Sequence, residues 1–407
     1  MASEQTSQEA ENKPLAGIRV IDFGQIYQGP YATFLMAKAG AEVIKVEPVT
    51  GEPSRQRRMV NKGATVPFEM LNANKKSVTL NLKSEAGRAL LKRMIGQADV
   101  LLENFAPGVM DRLGVGWPVL HEVNPALIYA SATGYGLDGP DRDNLAMDLT
   151  IQASSGMMAC TGFPENPPVK AGPAVVDFMG GVHLYAAVVT ALLERTRTGK
   201  GRLVEIAMQE TVYPTLASSL GLQYEVGDAE TLRTGNRHSG LSLAPYNVYR
   251  ASDGYVAIIC VVEGHWQNLL TVMGREDLKG NPCYETHAAR AARMDEVDSI
   301  VQDWASQLTR AEIFAATKAL KVPSAAVLEV YEVVKDPHMH SRGMLEWVEH
   351  PRLGQVVMPN SPIRIHGADK VPYVAIGDLG AQNDEIYGDW LGISPDDLAA
   401  YRREGVI

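Results

Sequence analysis

Cysteine is scarce. The three in 407 residues, Cys160, Cys260 and Cys283, are odd in number and widely spaced, which excludes a disulfide framework or a cysteine-based zinc site and suits a reducing cytoplasm. No apolar run approaches the roughly 20 residues that span a bilayer. Residues 1–14 are polar and acidic without the apolar centre of a signal peptide, so they are expected to form a disordered tail. A net charge of −10 argues against a nucleic-acid surface, while leaving room for a local basic patch that meets a phosphorylated ligand. The glycine pattern of a dinucleotide loop is also missing: Gly24–Gly29 contains no G-x-G-x-x-G. His338 and His340 form an H-x-H pair with no third ligand at metal spacing, so no metal site is expected.

The chain is long enough for two or three domains around sizeable cores. Alternating strands and helices dominate its first half. Gly17–Phe23 reads as a strand, Pro30–Ala39 as a helix stopped by Gly40, and Glu42–Glu47 as the next strand. Strand Ser77–Leu82, helix Glu85–Gln97, and strands Val100–Asn104 and Leu127–Ala132 continue the alternation. Sequential strands joined by helices imply parallel pairing, and hence an open, Rossmann-like α/β sheet with its ligand outside the carboxyl ends of the strands. The expected division is a large α/β domain over 15–221, a smaller α+β domain over 222–323, and a return to the first over 324–407. In the second domain a strand pair is expected around Tyr246–Val261, with helices Met294–Leu308 and Arg310–Leu320.

One segment carries chemistry. Ala174-Val175-Val176 delivers Asp177 to the start of a helix, Phe178–Arg195, that ends in Thr-Gly-Lys-Gly and feeds the strand Arg202–Met208. Asp177 reads as an N-cap, and an aspartate there is most often structural. Gly180 and Gly181 strip side chains from the first turns, which suggests close approach of a ligand to a helix end suited to anionic charge.

With that segment the sequence resembles the class III CoA-transferases. The similarity runs through LAGIRVIDFGQIYQGP, MLNANKKSVTLNLKSEAGR, DVLLENFAPGVMDRLG, VKAGPAVVDFMGG, GNRHSGLSLAPYNVYRASDGYVAI and DPHMHSRGML, in order and over nearly the whole chain. The resemblance implies that Asp177 is a nucleophile which carries CoA as an aspartyl thioester, and that no cofactor is needed beyond the CoA ester substrates. It places Ile26, Leu80, Lys83, Asn104, Phe105 and Arg112 along the CoA path and Tyr27 and Gln28 beside the substrate, and it makes Asp148 a catalytic candidate that orients Asp177 or neighbouring donors, with a local cap or loop aspartate as the alternative. Lys83 and Arg112 have the chemistry of phosphate partners. Oxyanion donors are expected near the Asp177 helix start or in Gly235–Leu243. Arg55, Arg57 and Arg58 are candidates for a distal substrate carboxylate, the first and last of them foremost, with a surface cluster as the alternative. Succinyl-CoA is the expected donor and malate or a related dicarboxylate the expected acceptor. The expected assembly is an interlocked homodimer, or a heteromer with a homologous chain, with no nucleic-acid or membrane partner.

Two other functions compete. A 2-methylacyl-CoA racemase of the related kind uses a histidine before the aspartate, and Met147-Asp148 stands there, so one proton-transfer group is missing. A CoA-binding but inactive subunit is the second alternative; Asp177 counts against it.

Overall fold

The computed structural model describes residues 12–57, 64–228 and 232–407. Two compact units account for them. The first takes the described residues up to Ile151, then Ala174–Thr211 and Asp336–Ile407; the second takes Gln152–Pro173 and Val212–Lys335.

A six-stranded parallel sheet forms the centre of the first unit: β1 (Arg19–Asp22), β2 (Glu42–Glu47), β3 (Lys76–Thr79), β4 (Val100–Glu103), β5 (Ile128–Thr133) and β6 (Arg202–Ala207), in the spatial order β3-β2-β1-β4-β5-β6. Apolar side chains on both faces explain why β4 reads Val-Leu-Leu without alternation. Leu101 packs into the core shared with helix α2 (Glu85–Ile95), whereas Val100 and Leu102 face the core of α1 (Gln28–Lys38) and of the long helix α4 (Val175–Thr198). Helix α3 (Asp148–Ser154) follows β5. The strand order reverses between β1 and β4, which opens a crevice at their carboxyl ends. Helix and strand ends differ from expectation by at most three residues, and Glu42–Glu47 matches at both ends. Pro30, for instance, is the third residue of α1 and not the first. Gly40, at φ 97°, stops that helix as expected, and Gly199, at φ 66°, ends α4.

Helix α4 corrects one expectation. Its 24 residues are long and apolar enough, by length and composition, to cross a bilayer. In this fold Leu184, Val188 and Leu192 are instead buried against the sheet.

The second unit has a three-stranded antiparallel sheet, β7 (Tyr246–Ala251), β8 (Gly254–Ile259) and β9 (Ser324–Ala326), covered by helices that include Met294–Ala305 and Arg310–Ala319 around Trp266, Val297 and Ile313. The expected return to the first domain at 324 therefore moves to 336, because Ser324–Ala326 pairs with β8. The first unit's closing segment carries the hairpin β10 (Leu345–His350) and β11 (Gly354–Pro359). Beyond it, Gln382 and Asn383 accept the Ser77 and Thr79 N–H groups at 2.7 and 2.9 Å, covering the exposed edge of β3. Of the expected tail, residues 1–11 lie outside the described residues. Asn12–Pro14 forms a turn, with the Lys13 carbonyl accepting from Ala16 and the Lys13 side chain against Gly40.

Candidate active site

Asp177 is not the N-cap of its helix. Ala174 holds that position and has no side chain to cap with, so Asp177 falls in the first turn. The cap comes from α3: Asp148 Oδ2 accepts the backbone N–H of Val176 at 2.9 Å and that of Asp177 at 3.2 Å. A carboxylate borrowed from another helix satisfies two orphan donors, and it frees the Asp177 carboxyl from structural duty. Burial pushes the Asp177 pKa up, the neighbouring Asp148 charge adds to the rise, and the Arg57 guanidinium opposes it, leaving the group at about 7. Such a carboxylate is only part ionised at neutral pH and is more basic than an ordinary one. The same cap engages the helix-start N–H groups of Val176 and Asp177, two of the donors expected for the oxyanion site. In the Gly235–Leu243 loop of the second unit, Gly235 donates to the Gly162 carbonyl and Gly240 to His238 Nδ1.

Gly180 and Gly181 serve helix packing, not ligand access. A Cβ at Gly180 would meet Gln28 Nε2 at 2.6 Å, and one at Gly181 would meet the Gln28 carbonyl at 2.8 Å, so the glycines let α1 and α4 approach closely. Gln28 is thereby set under the start of α4, 3% exposed, with its Nε2 unpartnered among the described residues. Tyr27 lies 6.1 Å and Tyr31 4.8 Å, ring to ring, from Phe178, the residue after Asp177.

The β1 loop is tightly held. Asp22 accepts from Gly24 N–H at 2.7 Å, from Thr33 at 2.7 Å and from Lys75 at 2.9 Å. Across the strand-order reversal, Gln25 N–H donates to Asn104 Oδ1 at 2.7 Å while Asn104 Nδ2 returns a bond to the Gln25 carbonyl at 3.0 Å. Between these anchors Ile26 adopts φ 65°, a costly left-handed conformation for a β-branched residue, of the sort that concentrates at ligand sites. Asn104 thus acts on the loop that presents Ile26.

Four other candidates divide by exposure. Lys83 and Arg112 are exposed past the carboxyl ends of β3 and β4. Phe105 is half-buried against Phe23, its N–H held by Glu103 at 2.8 Å. Leu80 is a correction: its side chain is 3% exposed in the core with Val78 and Leu90, so it offers a ligand at most its backbone.

Arg55 also departs from expectation. Two bonds to Glu47, at 3.0 and 2.7 Å, and stacking over Phe68 at 4.2 Å commit it to structure. Arg58 lies outside the described residues. Among the described residues, Arg57, exposed and felt by Asp177, is the arginine of this cluster that acts on the site. Glu103, at the end of β4 just before Asn-Phe, has its carboxyl pushed up to about 7, chiefly by burial. Met147 is exposed, and Thr150 Oγ1 bonds its backbone N–H and carbonyl at 2.9 Å each. Among the described residues no group of three or more His, Cys, Asp or Glu side chains is arranged to hold a metal.

Against known proteins, the family model described as CoA-transferase family III matches residues 15–383. A formyl-CoA:oxalate CoA-transferase of Streptomyces avermitilis is 34% identical over 97% of this chain and 100% of its own. A succinyl-CoA–D-citramalate CoA-transferase of Chloroflexus aurantiacus is 33% identical over 98% of this chain and 100% of its own. A CaiB/BaiF family protein from Brucella suis superposes with a TM-score of 0.81 at 31% identity, over 93% of this chain and 99% of that one.

Proposed function

Because this chain belongs to CoA-transferase family III, an enzyme family that exchanges CoA between an acyl-CoA and a free acid, we propose that Asp177 is its nucleophile. The supporting observation is a part-buried carboxyl at a helix start, freed by Asp148 from capping and poised at about 7. Asp177 attacks the donor thioester carbonyl, expelling CoA thiolate and forming a mixed anhydride. The thiolate then attacks the aspartyl carbonyl, releasing the donor acid and leaving an aspartyl-CoA thioester. The acceptor carboxylate attacks that thioester, and the thiolate finally takes the acceptor acyl group, regenerating the Asp177 carboxylate. Each step exchanges one acyl bond for another, so the CoA ester is the only activated reagent needed and no bound cofactor takes part.

CoA is proposed to lie at the carboxyl ends of β1, β3 and β4, beside Ile26 and the Asn104–Phe105 turn, with Lys83 and Arg112 on its phosphates. Replacing either cation by Ala is expected to raise KM for the CoA ester about tenfold, the worth of a charge-assisted bond, with little change for the free acid. Steady-state kinetics with CoA and dephospho-CoA esters check this. Equal kinetics in variant and wild type would leave both as surface charges.

The proposed donor is succinyl-CoA, and the proposed acceptor is malate or a related dicarboxylate such as citramalate. Arg57 supports this choice, because a cation facing Asp177 suits a substrate with a second carboxylate, and the unpartnered Gln28 amide offers a neighbouring donor. Arg57→Ala is expected to raise KM for dicarboxylates about tenfold while leaving a monocarboxylate unaffected. The deciding experiment is mass spectrometry of succinyl-CoA incubated with a panel of acids, with formyl-CoA and oxalate as the competing pair. Malyl-CoA or citramalyl-CoA as the main product fits the proposal; oxalyl-CoA from formyl-CoA at a far higher kcat/KM would overturn it. The chain is proposed to act in the cytoplasm as an interlocked homodimer, a heteromer with a homologous chain being the other arrangement.

A further inference from the structure

A cavity lies within the first unit, and Asp177 is not among its lining residues. About 540 Å³ in volume and open to solvent, it is lined by the end of α1, Tyr185 of α4, Met339–Met344 and the irregular segment 360–371. That is ample for a metabolite. Tyr185 of α4 lines it, roughly 12 Å along the helix from Asp177 at 1.5 Å per residue.

Its charged wall is mainly basic, with Asp369 as the one carboxylate among the described lining residues. Lys38, Arg342, Arg364 and Lys370 all line it. Lys38 is the buried one, at 7% exposure, and among the described residues its ammonium has a single hydrogen-bond acceptor, the Val371 carbonyl at 3.3 Å. The rings of Phe34 and Tyr373, 5.9 and 5.8 Å away, face it without neutralising it. Glu346 is the carboxylate that acts on Lys38, and it is already engaged by Lys370 and by Asn360 Nδ2. Burial accordingly draws the Lys38 pKa down to about 8. A buried ammonium without its own counterion is costly unless something supplies one.

The remaining wall is apolar, with Leu35, Met339, Met344 and Ile363. We propose that this cavity is a binding site for an organic anion with an apolar body, its carboxylate or phosphate head on Lys38 and its hydrocarbon part against the Leu35–Met344 wall. An inorganic ion would leave that wall uncovered, and an uncharged molecule would leave Lys38 unpaired.

Isothermal titration of the full chain with hexanoate, hexyl phosphate, hexanol and inorganic phosphate tests it, and the two six-carbon anions decide which head group the site takes. At least one of them should bind at least about tenfold more tightly than both hexanol and inorganic phosphate, and Lys38→Met should weaken that binding about tenfold or more. CoA transfer by Lys38→Met should match wild type, since Lys38 lies outside the Asp177 site. Arg364→Ala, on the exposed segment, provides a second variant that leaves the core intact and should also weaken binding. No binding of either anion, equal binding of hexanol, or undiminished binding by a folded Lys38→Met protein would each overturn the proposal.

Discussion

Asp177→Ala is expected to reduce CoA transfer by at least about 10⁴-fold, because loss of a nucleophile removes every covalent step at once. Stability should not fall with it. The helix cap resides in Asp148, so deleting the Asp177 carboxyl strips no donor of its partner. Burial makes the folded protein hold the Asp177 proton up to about 7, against an ordinary value of 3.8 in the unfolded chain. The folded state therefore binds more protons than the unfolded one across that range. The advantage is fully present below 3.8 and is lost as pH rises through about 7, where the carboxylate must be kept ionised in a desolvated place. Asp177→Asn escapes that loss, which amounts to at most roughly 4 kcal/mol. The melting temperature of Asp177→Asn relative to wild type should rise between pH 5 and pH 8, while its activity is absent. A flat difference across that range would mean the carboxyl is solvated, and activity within tenfold of wild type would remove it from the mechanism.

Asp148 should separate two roles when replaced in two ways. Asp148→Asn keeps an oxygen to accept the Val176 N–H but removes the charge that helps raise the Asp177 pKa, so the acid limb of the pH–rate profile should move to lower pH. Asp148→Ala removes both. It should cost about 0.5–2 kcal/mol through the lost cap, and a helix start displaced by even an ångström should lower kcat by about 10²-fold. A pH–rate profile for Asp148→Asn that overlays wild type would show that Asp148 acts as a cap alone.

The parallel sheet was legible because its strands are buried on both faces and alternate with helices, a pattern that local sequence states directly. Gly40 and Gly199 marked helix ends for the same local reason. What stayed hidden depends on contacts distant in sequence. That Asp148 caps the Asp177 helix requires residues 28 positions apart to meet. Gly180 and Gly181 look like room for a ligand until α1 fills it with Gln28. Arg55 and Arg57 are alike in sequence; only the Glu47 carboxylate and the Phe68 ring, which claim the first, tell them apart. Leu80 took its ligand role from family position, whereas its apolar side chain went where apolar side chains go. Ser324–Ala326 is too short to read as a strand from sequence, so the expected domain return falls 12 residues before the observed one.

The most direct test of the account is whether a covalent aspartyl-CoA thioester forms at Asp177. With donor acyl-CoA present and acceptor absent, the intact protein should gain the mass of CoA less one water, and hydroxylamine should convert Asp177 to a hydroxamate that peptide mapping places between Ala174 and Gly181. Without acyl-CoA no adduct should form. Fast turnover with an acceptor, accompanied by no adduct at Asp177 under either trapping or intact-mass conditions, would contradict the covalent mechanism and favour direct transfer between the two bound substrates.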